Sequence, residues 1–406
     1  KAYVASARRA FTAGNSGDHG ITLEGDLKID LKRIKERKDK LVQDSRSGLE
    51  KMFADTENIT LIRGKATFID EHTVKVNNEK YTADKFFINV GGRPRIPDDF
   101  KAVNYLTNES ILELEEIPEH LVIIGGGYVG LEFGQIFRRF GSKVSILERG
   151  EQLLEKEDDD IAEEVTEILR NSGIDVKLKS DCISAEKTGS GIFVNYNCDA
   201  NTENIKASHV LVATERIPNT DDLGMDSAGV ELDENGFIKV NDELQTSVEH
   251  IWALGDCNGE GAFTHTAYND FQIVNSHLFE ERKRYLSDRF LCYAAFIDPP
   301  LARVGLNEKD IKEQELKARI AVLPMSKIAR AKEKGETAGK LKIFVEKDTN
   351  KILGATFLGV GADEYIHTVI DQMYAGASYE VIRDAIHIHP TVSELLPSML
   401  EKLEDL

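Results

Sequence analysis

The chain has 406 residues, of which 41% are hydrophobic and 30% charged, so it is long enough for two or three domains of an ordinary soluble globular protein. Its formal net charge of −20 argues against nucleic acid or an anionic membrane as a partner. The sequence shows neither a signal peptide nor an apolar run of about 18 residues that could span a membrane. We therefore expect a cytoplasmic location.

The first hundred residues combine helices with short strands. We predict a helix over residues 1–13 and a second helix that is capped by Asp30 and runs to about Phe53. Apolar residues of the second helix fall near one face: Leu31, Ile34, Leu41 and Leu49. Strand-like segments follow and end in the apolar run KFFINVGG, after which prolines mark a connector.

Residues 120–150, HLVIIGGGYVGLEFGQIFRRFGSKVSILERG, carry a dinucleotide-binding pattern. An apolar strand leads into Gly125-x-Gly127-x-x-Gly130, a helix follows, and a second strand ends on Glu148. The first glycine permits a tight turn, the second lets a pyrophosphate approach the backbone, and the third lets helix and strand pack closely. The phosphates would lie at the helix N-terminus, where free N–H groups favour anions.

The acid at the end of the second strand bears on coenzyme choice. Glu148 lies 21 residues beyond Gly127, which suits a carboxylate that binds both ribose hydroxyls. Because this carboxylate would repel a 2′-phosphate, the sequence favours NADH over NADPH. The guanidinium of Arg149 could bind such a phosphate and leaves NADPH open.

Further along the chain, the apolar strand HIWAL ends in Gly255-Asp256. A carboxylate at a strand end can accept hydrogen bonds from the hydroxyls of a ligand. By itself this pattern is equally typical of an ordinary strand terminus.

The four cysteines are widely spaced: Cys182, Cys198, Cys257 and Cys292. No close pair suggests a zinc site or a local redox disulfide. We predict four reduced thiols and no metal site.

The C-terminal segment AIHIHPTVSELL contains the groups needed to move a proton. His389 and Glu394 lie five positions apart, next to Pro390. By itself, His389 could equally be a buried structural histidine. We interpret His387 as incidental and expect no metal site formed by His387 and His389.

Taken together, the ordered motifs INVGGRP, GGGYVGLEFG, VLVATERIPNT, IWALGDC, PPLARVG and HPTVSE resemble the class I pyridine nucleotide–disulfide oxidoreductases. This family includes dihydrolipoamide dehydrogenase, glutathione reductase and mercuric reductase, and the likeness is strongest to the mercuric-reductase-like FAD-containing members. It covers essentially the whole chain. The resemblance implies an α/β fold with two Rossmann-like nucleotide-binding domains and a C-terminal α+β dimerisation domain. The implied boundaries are 1–103 with 226–290 for FAD, 104–225 for NAD(P), and 291–406 for dimerisation.

The resemblance also assigns residues to the two cofactors. FAD would be bound by Lys1, Ala66, Val90, Gly91, Gly92, Asp256, Ala262, Phe263, Thr264 and His265. NAD(P)H would be bound by Gly125, Gly127, Tyr128, Val129, Gly130, Glu132, Glu148 and Glu215.

The implied reaction is a relay from NAD(P)H through flavin to a disulfide and on to a small-molecule substrate. In this family, His389 and Glu394 would form an acid–base dyad that serves the disulfide of the other subunit of a homodimer. KAYVASARRAF resembles the helix that follows the family's redox-active cysteine pair. We therefore expect that pair, and the first FAD fingerprint, upstream of Lys1.

Two departures from the family pattern are notable. Glu215 stands where the family has glycine, which could crowd the dinucleotide and lower its affinity. The segment PSMLEKLEDL lacks the vicinal cysteines that mercuric reductases use, so reduction of Hg(II) is not expected.

Two alternatives stay open at this point. If the chain is complete, it could be a catalytically silent flavin- or dinucleotide-binding protein. It could also be an NAD(P)H-dependent quinone or metal-ion reductase of the same fold.

Overall fold

The computed structural model describes residues 1–189, 191–198 and 201–406, without the side chains of Cys198 and Asn201. The chain forms two compact units. The first unit contains Lys1–Asp39, Ile96–Thr214 and Phe290–Leu406, and the second contains Lys40–Arg95 and Glu215–Arg289. The domain boundaries inferred from the sequence stay a prediction.

The helices of the described residues are α1 (Ala2–Gly14), α2 (Leu31–Asp55), α3 (Tyr128–Phe140), α4 (Asp159–Asn171), α5 (Met225–Ala228), α6 (Thr264–Phe279), α7 (Glu308–Glu313), α8 (Ala329–Glu333), α9 (Ala362–Tyr365), α10 (His367–Tyr374), α11 (Glu380–Asp384) and α12 (Leu396–Leu400). Within this part of the chain, no helix has both the length and the apolar character needed to cross a membrane.

The strands are β1 (Ala66–Asp70), β2 (Thr73–Val76), β3 (Glu79–Thr82), β4 (Phe86–Ile88), β5 (Gly92–Pro94), β6 (Tyr105–Leu106), β7 (His120–Ile124), β8 (Lys143–Leu147), β9 (Asp175–Lys177), β10 (Ser180–Thr188), β11 (Gly191–Cys198), β12 (Asn201–Ala207), β13 (His209–Val212), β14 (Arg216–Pro218), β15 (Ile251–Ala253), β16 (Cys292–Ala295), β17 (Leu301–Gly305), β18 (Ala318–Pro324), β19 (Lys340–Glu346), β20 (Ile352–Leu358) and β21 (Glu404–Asp405).

A five-stranded parallel sheet organises the middle of the first unit, in the order β6-β13-β7-β8-β9. Every residue of β7 is buried, as expected for a central parallel strand that is covered on both faces. Helix α3 begins directly after the glycine-rich turn and ends at Gly141, whose φ of 112° suits a left-handed helix cap. An antiparallel sheet, β10-β11-β12, lies between β9 and β13 in the chain.

The C-terminal segment of the first unit is built on a second sheet, in the order β16-β17-β20-β19-β18-β21. All its pairings are antiparallel. A separate hydrophobic core joins these strands to the following helices, with Phe357, Val369 and Leu396 fully buried. This segment therefore has its own core, as a domain requires.

The second unit contains three small sheets and helix α6. Strands β1, β2 and β3 form an antiparallel sheet, β14 pairs antiparallel with β5, and β15 pairs parallel with β4. The pairing of β15 with β4 brings the end of KFFINV beside the end of HIWAL. Two motifs that are about 160 residues apart in sequence therefore become neighbours.

Both N-terminal helix predictions are confirmed. The carboxylate of Asp30 accepts a hydrogen bond from the N–H of Arg33, 3.0 Å away, as predicted for a cap of α2. The apolar face of α2 is buried only at its start, because Leu31 lies in the core of the first unit whereas Leu41 and Leu49 are exposed.

Candidate active site

In the glycine-rich turn between β7 and α3, side chains would collide with neighbouring atoms at two of the three glycines of the Gly-x-Gly-x-x-Gly pattern. Gly125 has a φ of 109°, and a β-carbon there would lie 2.5 Å from the carbonyl oxygen of Ala213. A β-carbon on Gly130 would collide with the carbonyl oxygen of Gly125. At Gly127, by contrast, a β-carbon would meet nothing within 4 Å. The N-terminus of α3 is therefore open at Gly127, and these residues fit a dinucleotide whose pyrophosphate approaches the backbone there.

The two carboxylate oxygens of Glu148 accept hydrogen bonds from two different glycines, Gly126 in the glycine-rich turn and Gly150 after β8. Oε2 accepts from the N–H of Gly126 at 2.5 Å, and Oε1 accepts from the N–H of Gly150 at 2.7 Å. Each oxygen keeps further acceptor capacity, so ribose hydroxyls could still donate to it. Arg149 next to it is exposed, and Tyr128 and Val129 lie half-buried in the first turn of α3.

Lys1 and Glu132 form an ion pair, although the sequence assigned them to different cofactors. The Lys1 ammonium lies 2.8 Å and 2.7 Å from the two oxygens of Glu132. It also lies 4.0 Å from the ring centroid of Phe296, whose N–H donates to Glu132 at 2.9 Å. The segment around Phe296 therefore helps to orient this carboxylate, a contact that no local sequence signal indicated.

His389 and Glu394 lie in direct contact. Nδ1 of His389 is 2.8 Å from Oε2 of Glu394, and the histidine side chain is 77% exposed while the glutamate is 10% exposed. The N–H of Thr391 donates to the same oxygen at 3.2 Å. Because a carboxylate accepts, the proton of a neutral imidazole belongs on Nδ1, which leaves the lone pair on Nε2.

His387 contacts the segment that carries Glu394, and its interpretation as incidental to the chemistry stays a prediction. Its Nδ1 lies 3.0 Å from the carbonyl oxygen of Ser393, the residue before Glu394. The chain turns back on itself between these two positions, so His387 reaches the dyad's own loop. The spacing of two histidines in a short segment could not show this turn.

In the second unit, three residues assigned to FAD lie together. Gly91 has a φ of 67°, and a β-carbon there would meet nothing within 4 Å. A β-carbon on Gly92 would lie 3.7 Å from the β-carbon of Asp256. Arg216 donates to the carbonyl oxygen of Gly92 at 2.6 Å and lies 3.4 Å from the Asp256 carboxylate. An open glycine turn beside a carboxylate fits a ligand with hydroxyl groups, such as FAD, and Arg216 is a member of this group that the sequence did not reveal.

The other residues assigned to FAD occupy several places. Val90 lies between β4 and β5, and its carbonyl oxygen accepts from Asn219 at 2.9 Å. Ala262 and Phe263 precede α6, which begins at Thr264, and the rings of Phe263 and His265 stack with centroids 5.3 Å apart. Ala66 begins β1 and pairs with Val76, in a different sheet from β4 and β5.

Glu215, at the position where the family has glycine, forms an ion pair with Arg95. The two side chains lie 2.8 Å apart, and both are more than half exposed. The N–H of Arg95 also donates to the carbonyl oxygen of Glu215 at 3.0 Å. This carboxylate therefore has a counterion within its own unit.

The side chains of three cysteines are described, and Cys182 and Cys257 are free thiols. Cys182 is exposed, Cys292 is half-buried and Cys257 is buried, which raises the pKa of the Cys257 thiol. The side chain of Cys198 lies outside the described residues. In the described part of the chain, no group of three or more His, Cys, Asp or Glu side chains is arranged to hold a metal ion.

Comparisons with known proteins agree with this architecture. The family described as pyridine nucleotide-disulphide oxidoreductase matches residues 5–270, and its dimerisation domain matches residues 292–400. The chain is similar to the probable pyridine nucleotide-disulfide oxidoreductase RclA of Escherichia coli (strain K12), with 36% identity over 375 residues, or 90% of this chain and 84% of RclA. It is 33% identical to mercuric reductase of Staphylococcus aureus over 367 residues, or 90% of this chain and 67% of that protein.

Solved structures of RclA also resemble this chain. The HOCl-induced flavoprotein disulfide reductase RclA from Escherichia coli superposes with a TM-score of 0.87 at 33% identity, covering 99% of this chain and 88% of that one. The Cu(II) complex of that protein superposes with a TM-score of 0.88 at 32% identity and the same coverage. The predicted mixed α/β fold with nucleotide-binding and dimerisation domains is confirmed. The chain belongs to the pyridine nucleotide-disulphide oxidoreductase family, whose members are FAD-dependent oxidoreductases that use NAD(P)H.

Proposed function

We propose that this chain relays reducing equivalents from NAD(P)H through FAD to a disulfide and on to a small acceptor, with His389 and Glu394 as the acid–base dyad. The observation that carries the proposal is the 2.8 Å contact between an exposed imidazole and a carboxylate that is only 10% exposed. This arrangement exposes the proton-exchanging nitrogen and shields the group that orients it. Cys182 and Cys257 are free thiols and are not the disulfide of this proposal.

The dyad handles one proton in each half of a thiol–disulfide exchange. The attacking sulfur gives its proton to Nε2 of His389 as it forms the new S–S bond, and the departing sulfur takes that proton back. Glu394 accepts from Nδ1 throughout, so it stabilises the imidazolium that exists between the two transfers. Thr391 holds Glu394 in place by donating to the same oxygen.

The residues of the second unit that would hold FAD are Val90, Gly91, Gly92, Asp256 and the segment Ala262–His265. Asp256 offers an acceptor for ligand hydroxyls, and the turn at Gly91 leaves the backbone accessible. When bound, FAD would accept a hydride from the coenzyme and pass two electrons to the disulfide. Ala66 and Lys1 stay predictions from the family resemblance.

We propose NADH as the preferred coenzyme. Oε2 of Glu148 is hydrogen-bonded to Gly126 in the glycine-rich turn, where a ribose beside the pyrophosphate would meet this carboxylate. A 2′-phosphate at that point would face a carboxylate.

We also propose that the working protein is a homodimer formed through the C-terminal segment. Large apolar side chains are exposed in the segment just before His389 and on the two preceding helices: Ile386, Ile388, Tyr374 and Val381. Exposed apolar side chains that cluster in this way are typical of an interface.

A metal ion is the second candidate acceptor. RclA, which resembles this chain, has a solved structure as a Cu(II) complex. The dyad would then have no thiol to serve, so Cu(II) reduction should survive the loss of His389.

The test uses the full-length holoenzyme and follows oxidation of NADH and NADPH with disulfides, quinones and Cu(II) offered one at a time. His389→Gln and Glu394→Gln should lower disulfide reduction by about 10²–10⁴-fold, the usual worth of acid–base catalysis. The exposed His72–Glu71 pair, at 3.9 Å, supplies matched controls in His72→Gln and Glu71→Gln, which should behave as wild type. If both His389→Gln and Glu394→Gln reduce disulfides at the wild-type rate, the proposed dyad is refuted.

A further inference from the structure

Residues 385–391, which include His389, are held within the protomer mainly by hydrogen bonds, whereas Val392 and Leu395 beside Glu394 pack against the hydrophobic core. Ile386 is 100% exposed and Ile388 is 78% exposed, so neither anchors the loop in the core of its own protomer. Residues 385–391 form neither helix nor strand. The position of Glu394 relative to His389 therefore depends on a few specific polar contacts.

Two of these contacts are made by His387 and His389, which lie two residues apart, and their partners are the consecutive residues Ser393 and Glu394. His389 donates to the side chain of Glu394, and His387 donates to the carbonyl oxygen of Ser393 at 3.0 Å. A carbonyl oxygen only accepts, so Nδ1 of His387 must carry a proton. Both imidazoles are therefore protonated on the nitrogen that faces the loop.

The carbonyl group held by His387 belongs to the peptide unit that joins Ser393 to Glu394. Because this unit is planar, fixing its oxygen restrains the backbone from which the Glu394 side chain projects. Thr391 restrains the other end of the same residue, since its N–H donates to the Glu394 carboxylate. The Thr391 hydroxyl donates to the carbonyl oxygen of Ile388 at 2.7 Å and closes the loop.

We propose that His387 is a positioning residue of the dyad: by holding the Ser393 carbonyl, it keeps the Glu394 carboxylate in line with Nδ1 of His389. His389 then keeps its lone pair on Nε2, where a thiol proton can reach it. This inference rests on the proposed function of His389 and Glu394. It assigns no contact with substrate to His387.

Three variants separate the hydrogen bond from the bulk of the ring. In His387→Asn the side-chain amide nitrogen can take the place of Nδ1 and donate to the Ser393 carbonyl oxygen. In His387→Gln the amide nitrogen lies where Nε2 was, away from that oxygen. His387→Ala has no side-chain donor. We expect Gln and Ala to lower the rate of disulfide reduction by about tenfold, because small displacements of a catalytic group are costly, while Asn stays within about twofold of wild type. Reduction of the flavin by NADH, measured without a disulfide acceptor, should be unchanged in all three.

The second measurement reads the dyad directly. Nitrogen-15 NMR of histidine-labelled protein reports which ring nitrogen carries the proton, and His389→Gln identifies the His389 signals among the ten histidines. His389 should keep its proton on Nδ1 in wild type and His387→Asn, and should show a mixture of both tautomers in His387→Gln and His387→Ala. A role in stability alone would lower the thermal midpoint of these variants without changing the tautomer, and that result would overturn the proposal.

The two hypotheses fail in different ways. If His389→Gln reduces disulfides at the wild-type rate, the proposed dyad is wrong. If His389→Gln is inactive but His387→Gln matches wild type in rate and tautomer, the dyad stands and only the positioning role is refuted.

Discussion

Glu157, in the first unit, is a carboxylate in a setting that disfavours its charge. Its side chain is 2% exposed, Oε1 accepts from the hydroxyl of Tyr293, and Oε2 has no hydrogen-bond partner among the described residues. Arg303 lies 3.8 Å away but is also bonded to Asp310 and to the carbonyl oxygen of Lys156. Burial is the main cause that raises the pKa of Glu157 to about 7.

This raised pKa makes stability depend on pH. In the folded protein Glu157 keeps its proton up to about pH 7, whereas in the unfolded chain it ionises near pH 4.5. The folded state therefore binds more protons between these values, and its stability falls as the pH rises through that window. Glu157→Gln cannot ionise, so we expect its stability relative to wild type to rise by up to about 3 kcal/mol between pH 5 and pH 8. Thermal midpoints of both proteins at the two pH values measure this difference in stability. The control is Glu155→Gln, a substitution at an exposed residue. An equal difference at both pH values would contradict the prediction.

Glu148 supplies a second prediction at the residue scale. Glu148→Gln keeps the size of the side chain but removes its charge, so it should no longer repel a 2′-phosphate. We expect the ratio of kcat/KM for NADH to that for NADPH to fall by about tenfold, the worth of one charged hydrogen bond. Glu151→Gln, on an exposed residue paired with Lys179, is the matched control and should leave the ratio unchanged. A ratio unaffected by Glu148→Gln would show that this carboxylate does not choose the coenzyme.

At the scale of elements, the contact between β7 and α3 decides how the dinucleotide turn is shaped. The helix approaches the strand so closely that Gly130 has the carbonyl oxygen of Gly125 and the side chain of Ile123 directly beside it. Gly127 is the opposite case, since it has open space and a φ of −78° that any residue adopts. One glycine therefore serves packing and the other leaves room for a ligand.

This contrast predicts two different phenotypes. Gly130→Ala should destabilise the protein by about 1–3 kcal/mol, because the helix must move away from the strand. Gly127→Ala should fold with a wild-type thermal midpoint and raise the KM for NADH by about tenfold, because the added methyl group meets the pyrophosphate. Thermal unfolding and NADH kinetics on both variants separate the effects, and equal destabilisation by the two changes would argue against this division of roles.

At the scale of the whole molecule, the proposed homodimer would form through the C-terminal segment, where the family's dimerisation domain matches residues 292–400. This segment has its own buried core, yet it leaves Ile386 and Ile388 exposed beside the dyad. Burying such side chains against a second copy would contribute about 1.5–3 kcal/mol for each one. The subunit interface and the dyad would then lie together.

Charged residues at these positions should separate the subunits. We expect Ile386→Glu combined with Ile388→Glu to convert the dimer to a monomer in sedimentation experiments and to reduce disulfide turnover, while bound flavin keeps its absorption. Val322→Glu places the same charge on another exposed apolar residue of the segment and should remain dimeric. A dimer that persists in the double variant would place the interface elsewhere.

Much of the fold and part of the candidate site could be predicted from the sequence alone. The α3 helix, its glycine turn and the acid after β8 follow from backbone sterics and short-range periodicity, which are properties of neighbouring residues. The proximity of His389 and Glu394 is of the same kind, because they lie five positions apart and a bend at His389 and Pro390 leads into the short 3-10 helix Val392–Leu395, which carries Glu394. The family follows from the order of such local signals along the chain.

Only the tertiary structure decided which side chains from distant segments pair with each other and which are buried or exposed. Packing between parts of the chain far apart in sequence produces the ion pairs of Lys1 with Glu132 and of Arg95 with Glu215. It also determines the burial of Glu157 and the exposure of the apolar face of α2. The bond from His387 to Ser393 joins residues only six apart, but it exists because an irregular loop folds back on itself. Local sequence constrains the backbone of each element, whereas the desolvation and partners of a side chain are set by whatever the rest of the chain places around it.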